Sequence, residues 1–356
     1  MKKNIVFFIP SIEGGGVEKN FFLLVKYLSK EYHKIFVISA DRKFPQYSKG
    51  IVQINPSFKF SSKNKRFFKT LFCLYLLIKN FAFKKTTILS FQSNISIIIV
   101  SKIFGFKIIA RLNTSLKKYI NKFWKKFIFK FIYSKADKII VNSKNFQKEL
   151  DAINLKSNLI YNLVEMKKVK KKINFFNKFD GLKILNIGRL THQKDQITLI
   201  RCLNLLKIKK VKFKCVIIGR GILRDYLKKK IIKYNLEKEV LLAGYKKDAE
   251  NYISNCNIFV LTSKYEGLPN VLIEAQKYNI PIISSNCPTG PSEILLGGKL
   301  GVLFKVGDFR MLTNKLLDFN KNKINLKKKS KLAKNYLFRF DPVSKSLNYR
   351  NLIDNA

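Results

Sequence analysis

Short apolar runs alternate with longer amphipathic segments along nearly the whole chain. In the first half these runs are rich in β-branched and aromatic residues, and each is followed by a segment of helical or loop character; they are NIVFFI, KIFVISA, TTILSF, KIIAR and KIIVNS. Strands of a parallel sheet that is covered by helices on both faces have this uninterrupted apolar character. The pattern therefore predicts a doubly wound α/β domain.

The same alternation begins again after a break in the pattern. Residues 166–180 are rich in lysine and have no periodicity, and five further strand-like runs follow them, from LKILNIGRL to IPIISSN. We therefore predict a Rossmann-like N-terminal domain over residues 1–165, a polar linker, and a second Rossmann-like domain over residues 181–340. Residues 341–356 are predicted to be helical after Pro342, and they are too few to form a domain.

Two doubly wound domains that face each other across a cleft bind their ligands at the carboxyl ends of the strands. We expect the functional residues in the loops that follow strands. The first such loop holds Gly14, Gly15 and Gly16 directly before a helix, where backbone amides and the helix dipole favour a phosphate. A simple tight turn explains the same glycines, and the absence of a full GxGxxG disfavours a nicotinamide dinucleotide site.

The loop after the first strand of the second domain reads GRLTHQKD. It places Arg189 and Lys194 at the expected mouth of the cleft, where a guanidinium fork and an ammonium suit a diphosphate. Two ordinary surface cations are the alternative. We interpret His192, between them, as an exposed loop residue.

The segment EGLPNVLIE brings two carboxylates together in a chain that has few acidic residues. Pro269 favours a helix start, so PNVLIEAQKY is predicted to be helical, with its apolar residues Val271, Leu272 and Ala275 packed inward. Glu266 is then predicted to lie in the preceding loop and Glu274 inside the helix. Ionised carboxylates accept paired hydrogen bonds, which the vicinal hydroxyls of a ribose or hexose offer. A solvated helical Glu274 is the alternative.

These segments, taken together, resemble the retaining family 4 glycosyltransferases with the GT-B fold, in which two glutamates form an E-x7-E motif. The resemblance rests on the following segments in this order: GGGVE (14–18), ADKIIVNSK (136–144), IYN (160–162), LNIGRLTHQKD (185–195), VIIGRG (216–221), LLAGY (241–245), EGLPNVLIE (266–274), CPTGPSEIL (287–295) and GVLFKVGD (301–308). It implies transfer of a hexose or N-acetylhexosamine from a nucleoside-diphosphate sugar, preferably UDP-linked, with retention of configuration. The implied acceptor is a lipid-linked, lipopolysaccharide, capsule or O-antigen glycan, and no cofactor is implied.

The resemblance also implies a role for individual residues. Glu266 would bind the donor sugar, Glu274 the ribose, and Arg189 and Lys194 the leaving diphosphate. Glu266, Arg189 and Lys194 would thus be the catalytic residues. The other implied donor-binding residues are Gly15, Gly16, Gly188, Gly219, Arg220, Tyr245, Gly267 and Leu268. The sequence has no DxD motif, so we expect no metal. The resemblance further implies that the terminal helix over residues 341–356 crosses back onto the N-terminal domain.

One position departs from the family pattern. Many relatives have a histidine in the segment that reads ARLNTS here, and this chain has Leu112 and Asn113 at that place. Arg111 and Asn113 are expected to line the acceptor side, and the leaving phosphate is a candidate for the base. The identity of any protein base is left open.

The charge balance points to anionic partners. There are 71 lysines and arginines against 22 acidic residues, a net charge of +49, which attracts nucleic acid, anionic lipid or phosphate-bearing substrates. No recognition-helix, RNP-like or zinc pattern supports nucleic acid. A biased composition that fills solvated positions with lysine explains many individual lysines equally well.

Lysines and aromatic residues are interleaved over residues 117–138, and less regularly over 63–85. A helix with this composition suits an anionic membrane interface, although an amphipathic core helix with extended lysines is the alternative.

The N-terminal apolar run is short and ends at Pro10, which predicts a first strand rather than a signal peptide. The five scattered cysteines fit a reducing compartment. We expect a cytoplasmic protein, peripheral on the inner face of the cell membrane.

Two alternative functions stay open. A GT-B-fold epimerase would act on the same nucleotide sugar, although more histidines and carboxylates would be expected in its cleft than this chain provides. A basic protein that binds nucleic acid or membrane without catalysis would account for the charge alone.

Overall fold

The computed structural model describes residues 4–12, 14–41, 50–57, 66–113, 123–165 and 174–356. The chain divides into two compact units, and the C-terminal segment belongs to the first. The first unit comprises Met1–Glu165 with Phe340–Ala356, and the second comprises Met166–Arg339. Much of the predicted linker over residues 166–180 lies outside the described residues.

The first unit is built on a seven-stranded parallel sheet. Its strands are β1 (Asn4–Phe8), β2 (Ile35–Ile38), β3 (Ile51–Ile54), β4 (Thr86–Ser90), β5 (Lys107–Arg111), β6 (Lys138–Val141) and β7 (Asn158–Leu159). Its helices are α1 (Gly16–Leu28), α2 (Arg66–Phe81), α3 (Asn94–Ile103), α4 (Phe123–Tyr133), α5 (Lys144–Asp151) and, at the end of the chain, α13 (Pro342–Asp354). The strand order is β3-β2-β1-β4-β5-β6-β7.

The second unit repeats this plan with six parallel strands. They are β8 (Leu182–Ile187), β9 (Phe213–Ile218), β10 (Val240–Gly244), β11 (Ile258–Leu261), β12 (Ile282–Ser285) and β13 (Val302–Phe304). The helices are α6 (Gln196–Ile208), α7 (Arg224–Lys233), α8 (Ala249–Ser254), α9 (Asn270–Lys277), α10 (Pro291–Ile294), α11 (Phe309–Lys321) and α12 (Lys323–Lys334), with short 3₁₀ turns at Asn174–Phe176, Leu296–Gly298 and Leu337–Phe340. The order is β10-β9-β8-β11-β12-β13.

The sheets are buried on both faces, as the apolar runs predict. Every residue of β4, β11 and β12 is buried. One face of the first sheet packs under α2, α3, α4 and α5, and the other packs against α1 and α13. All five cysteines are buried and unpaired. The predicted doubly wound α/β architecture is thus confirmed for both units.

The edge strands β3, β7 and β13 are absent from the sequence prediction. β3 is mostly half-buried, β7 has two residues and β13 has three, of which two are half-buried, so none of them produces a long apolar run. The helix predicted over PNVLIEAQKY is present as α9, with Pro269 at its N-cap rather than in its first turn. Leu272 and Ala275 are buried as predicted, whereas Val271 is half-buried.

The terminal helix is part of the first unit. α13 packs on α1, with Tyr349 and Ile353 buried in the same core as Phe21 and Leu24. Arg350 Nη1 lies 2.5 Å from Glu31 Oε2 at the edge of this contact. Apolar burial therefore supplies most of the attachment, because an exposed ion pair contributes little.

The Tyr349 side chain provides a test of this attachment. Its hydroxyl lies near the Arg111 guanidinium and makes no hydrogen bond of normal geometry with the described residues. Tyr349→Ala should lower the free energy of unfolding by about 3–5 kcal/mol, since a large buried ring is lost. Tyr349→Phe should stay within about 1 kcal/mol of the wild type.

The measurement is urea unfolding followed by the fluorescence of Trp124, the single tryptophan, which lies in the first unit. Equal losses in the Ala and Phe variants would show that the hydroxyl, rather than the buried ring, holds the helix.

Candidate functional site

The second sheet has a topological switch point between β8 and β11. The chain adds β9 and β10 on one side of β8, and then β11, β12 and β13 on the other side. In open parallel sheets of this kind, the loops at the switch point leave a crevice at the carboxyl ends of the strands. A ligand site is therefore expected between the loop after β8 and the loop after β11.

An ion pair joins these two loops. Lys194 Nζ, after β8, lies 2.5 Å from Glu266 Oε1, after β11, and the two side chains are only 14% and 7% exposed. Ser263 Oγ donates a second hydrogen bond to the same oxygen, at 2.6 Å. The structure thus brings together two of the three residues predicted to act in catalysis, and adds a serine that the sequence analysis did not single out.

The loop after β12 clamps the backbone of Glu266. Glu266 N donates to the carbonyl of Pro288 at 2.8 Å, and Thr289 Oγ1 donates to the carbonyls of Glu266 and Gly267, each at 3.0 Å. Gly290 has φ +84°, and a Cβ there would lie 2.2 Å from the Gly267 carbonyl oxygen. Only glycine allows this close approach, so the CPTGP segment orients Glu266.

Further hydrogen bonds connect the loop after β8 to the loop after β11. Gln193 Nε2 donates to the carbonyl of Tyr265 at 3.0 Å, and Thr262 Oγ1 donates to the carbonyl of Lys194 at 2.9 Å. Arg189 is exposed, and its Nη2 lies 3.3 Å from Gln193 Oε1. The backbone of Lys194 is thereby fixed, and the Arg189 side chain is accessible.

The loops after β9 and β10 continue the site along the sheet. Gly219 has φ +153°, and a Cβ there would lie 1.9 Å from the carbonyl oxygen of Gly188, so the two glycines allow adjacent loops to touch. The Arg220 guanidinium lies over the Tyr245 ring, 5.3 Å from its centroid, and Tyr245 is 53% exposed. Four of the predicted donor residues are thus brought to one end of the sheet.

Glu274 lies in α9 and is buried, as are Leu268 before the helix and Glu266 itself. The Glu274 carboxylate is near enough to Tyr278 to contribute to a raised tyrosine pKa, for which burial is the main cause and Glu250 the next. Gly267 is half-buried between the two glutamates. The roles of Glu274, Gly267 and Leu268 toward a donor stay predictions.

A neighbouring thiol also responds to the Glu266 carboxylate. Burial raises the pKa of the Cys287 thiol to about 12, and the nearby Glu266 charge adds to this shift. Cys287 is therefore a neutral side chain at physiological pH, and it does not compete with Glu266 for Lys194. No group of three or more His, Cys, Asp or Glu side chains that could hold a metal ion occurs within the described ranges.

In the first unit, the switch point lies between β1 and β4. Gly15 N, which was predicted to approach a phosphate, donates instead to Glu18 Oε2 at 2.9 Å. Glu18 is buried, and Gln92 after β4 bonds to the carbonyl of Ser11 after β1. Gly16 begins α1. The Gly15 amide is thus already bonded within the protein, and a phosphate would have to displace Glu18 to reach it.

Arg111 and Asn113 follow β5. Arg111 is only 1% exposed; its Nη1 donates to Asn113 Oδ1 at 2.5 Å and its Nη2 to Asn162 Oδ1 at 2.6 Å. The guanidinium carbon lies 4.9 Å from the centroid of the Phe91 ring. Arg111 is therefore a buried connector, and Asn113 is half-buried. The place of both residues on the acceptor side stays a prediction.

Comparison with protein families assigns both halves of the chain. Residues 14–168 match the Glycosyltransferase Family 4 model, and residues 167–336 match the model described as Glycosyl transferases group 1.

Individual relatives have related descriptions. An uncharacterized glycosyltransferase of Methanocaldococcus jannaschii is 35% identical over 57% of this chain and 55% of its own. The N-acetylgalactosamine-N,N'-diacetylbacillosaminyl-diphospho-undecaprenol 4-alpha-N-acetylgalactosaminyltransferase of Campylobacter jejuni is 32% identical over 54% of this chain and 53% of its own. The chain thus spans about half the length of the curated relatives it matches.

Solved structures match over the full length of the chain. The Anabaena HepE complex with UDP and glucose has a TM-score of 0.82 at 17% identity and covers 100% of both chains. Sucrose-phosphate synthase from Thermosynechococcus elongatus has a TM-score of 0.79 at 18% identity, again over 100% of both. At these identities the structures show the fold, which is GT-B. With both family models matched in succession, the chain belongs to the glycosyltransferases of the GT-B fold.

Proposed function

We propose that this protein transfers a hexose or N-acetylhexosamine from a nucleoside-diphosphate sugar, preferably UDP-linked, to a lipid-linked or other polysaccharide acceptor, with retention of configuration. The observation that carries the proposal is the Lys194–Glu266 pair at the switch point of the second sheet. A cation for the leaving diphosphate and a carboxylate for the sugar hydroxyls stand side by side there. Both are needed at the anomeric carbon, where the bond to the diphosphate breaks.

Charge stabilisation is the largest contribution expected from the protein. As the bond breaks, the diphosphate gains negative charge, and each preorganised donor contributes on the order of 3 kcal/mol. The Lys194 backbone is held by Thr262 while its ammonium lies beside Glu266, and exposed Arg189 can also reach toward a ligand. Arg220 and Tyr245 offer a guanidinium and a ring face to the nucleoside side.

The relatives support the acceptor class. The Campylobacter relative has a diphospho-undecaprenol-linked glycan in its name, and an Erwinia amylovora relative is an amylovoran biosynthesis glycosyltransferase, 34% identical over 46% of this chain and 48% of its own. A lipid-linked acceptor requires access to a membrane surface. We therefore include peripheral attachment to the inner face of the cell membrane in the proposal.

The outer face of the first unit supports this attachment. α2, α3 and α4 cover the same face of the first sheet and present apolar side chains to solvent. We define the helix-layer surface as Phe67, Phe68, Leu71, Tyr75, Ile95, Ile99, Ile103, Trp124, Phe127, Ile128 and Phe131, which are 45–71% exposed. Lysines 126 and 130 are exposed on α4 among these residues. Exposed aromatics and lysines together suit an anionic interface.

The structure also corrects the composition of the predicted membrane helix. Phe129 and Tyr133 are buried in the core with their rings stacked 4.1 Å apart, so they do not belong to the surface. Residues 117–122 and 63–65 of the two predicted segments lie outside the described residues. No helix within the described ranges is both long and apolar enough to span a bilayer.

Replacing each glutamate separately tests the donor site. Glu266→Ala should abolish turnover and leave UDP affinity within a few-fold, because its carboxylate is assigned to the sugar. Glu274→Ala should weaken UDP binding by about 1–3 kcal/mol, because a charged hydrogen bond to ribose is lost. Calorimetry with UDP and release of UDP from UDP-sugars measure the two effects.

Glu266→Gln is the control for folding, since removing one partner of a buried ion pair destabilises a protein. Parallel loss of UDP binding and turnover in a folded Glu266 variant would contradict its assignment to the sugar. Interconversion of sugars without an acceptor would instead identify an epimerase.

Activity should be retained in excess EDTA, because Arg189 and Lys194 neutralise the diphosphate in place of a metal. The measurement is initial transfer rate before and after chelation. Complete loss that Mg²⁺ or Mn²⁺ restores would contradict this mechanism.

Cosedimentation with vesicles tests the membrane surface. The wild-type protein should bind phosphatidylglycerol vesicles well and neutral vesicles weakly, and salt should remove part of the binding. Changing Trp124, Phe127 and Phe131 together to Ser should remove the salt-resistant part. Ile222, Tyr226 and Ile232, which are exposed in the second unit, provide a matched triple Ser control. Equal vesicle binding by both folded triple variants would exclude the helix-layer surface as the attachment site.

A further inference from the structure

The two oxygens of the Glu266 carboxylate have different surroundings. Oε1 accepts from both Lys194 Nζ, at 2.5 Å, and Ser263 Oγ, at 2.6 Å. Among the residues that the structure describes, none donates a hydrogen bond to Oε2. One oxygen is thus fully engaged, and the other keeps its capacity to accept hydrogen bonds.

In the proposed reaction the Glu266 carboxylate and the diphosphate compete for the Lys194 ammonium. A diphosphate beside Lys194 carries more negative charge than one carboxylate and attracts the same ammonium. The ammonium sits on a flexible four-carbon stem, so it can turn toward the diphosphate. Glu266 would then lose its cation at the moment when its orientation matters most.

We propose that Ser263 is a positioning residue that holds Oε1 of Glu266 throughout the reaction, so that Oε2 faces the sugar hydroxyl while Lys194 is shared with the diphosphate. This inference rests on the proposed function. Ser263 does not touch the donor in this account; it acts through Glu266. The Ser263 hydroxyl carries no charge. A phosphate therefore attracts it less strongly than it attracts the Lys194 ammonium.

The surroundings of Ser263 fit an anchor. It is fully buried, two residues after the end of β11. Its own carbonyl accepts a hydrogen bond from Ser285 Oγ, at 2.6 Å, which fixes it to β12. With one side-chain torsion and a fixed backbone, Ser263 loses little entropy in holding the carboxylate. Groups that position a functional side chain are most effective when they are locked in this way.

The test compares Ser263→Ala with Ser263→Thr and Ser284→Ala. The Thr variant keeps the hydroxyl. Ser284 is the matched control, because its hydroxyl is equally buried in β12 but bonds only to the carbonyl of Ser285. The substrate is whichever of UDP-glucose, UDP-galactose, UDP-N-acetylglucosamine or UDP-N-acetylgalactosamine the wild-type protein turns over, and the readout is UDP release.

Ser263→Ala should lower kcat about 10- to 100-fold, since a hydrogen bond to a charged group is lost, and it should leave UDP affinity within about threefold. Ser263→Thr should recover most of kcat, and Ser284→Ala should keep it. If Ser263→Ala does not fold, Ser263→Cys, with a similar volume and a weak donor, carries the same expectation. A role confined to folding would lower the melting temperature without this division between kcat and UDP affinity.

Unchanged kcat in folded Ser263→Ala, or an equal loss in Ser284→Ala, would overturn the positioning role while the proposed function stands. A wild-type protein that turns over none of the four sugars would refute the proposed hexosyl transfer from UDP and, with it, the role of Ser263.

Discussion

A buried ion pair between two loops organises the candidate site. Lys194 and Glu266 come from the loops after β8 and β11, which the strand order places on either side of the switch point. Separating the two charges would leave one of them buried and unpaired, which is costly. Hydrogen bonds from Gln193 and Thr262 hold the same two loops together, and those from Ser263 and Thr289 orient Glu266 within its loop.

The first unit has a different organising group. Arg111 is buried among amide oxygens and the Phe91 ring, with no carboxylate in an ion pair with it among the described residues. It connects β5 to Asn162 after β7 and, at 3.4 Å, to Asn20 of α1. The same core receives Tyr349 from the terminal helix. A buried guanidinium with several fixed acceptors thus ties together segments that lie far apart in the sequence.

The sequence predicted the features that depend on local pattern. Buried parallel strands produce continuous apolar runs, so most strands were found, and the glycine and charged residues after them identified the loops. Edge strands β3, β7 and β13 lack such runs. On α4, the interleaved aromatics could not be sorted by composition; their positions on the helix place Phe129 and Tyr133 inward and Trp124, Phe127 and Phe131 outward.

What the sequence could not predict depends on distance in space. Lys194 and Glu266 were assigned to separate ligands, and their direct contact follows only from the order of the strands. Ser263 and Glu266 are three residues apart in a loop. This spacing does not predict their hydrogen bond unless the conformation of the loop backbone is known. The burial of Arg111 could not be predicted either, because the residues that enclose it, such as Asn20, Phe91 and Asn162, are distant from it in the sequence.

The position of bound nucleotide tests the central claim most directly. A crystal structure of the protein with UDP should show the diphosphate within hydrogen-bonding distance of Arg189 and Lys194, at the carboxyl ends of β8 and β11, with the ribose at Glu274. A diphosphate bound to another part of the protein, with the Lys194–Glu266 ion pair intact and not in contact with it, would contradict the proposed site.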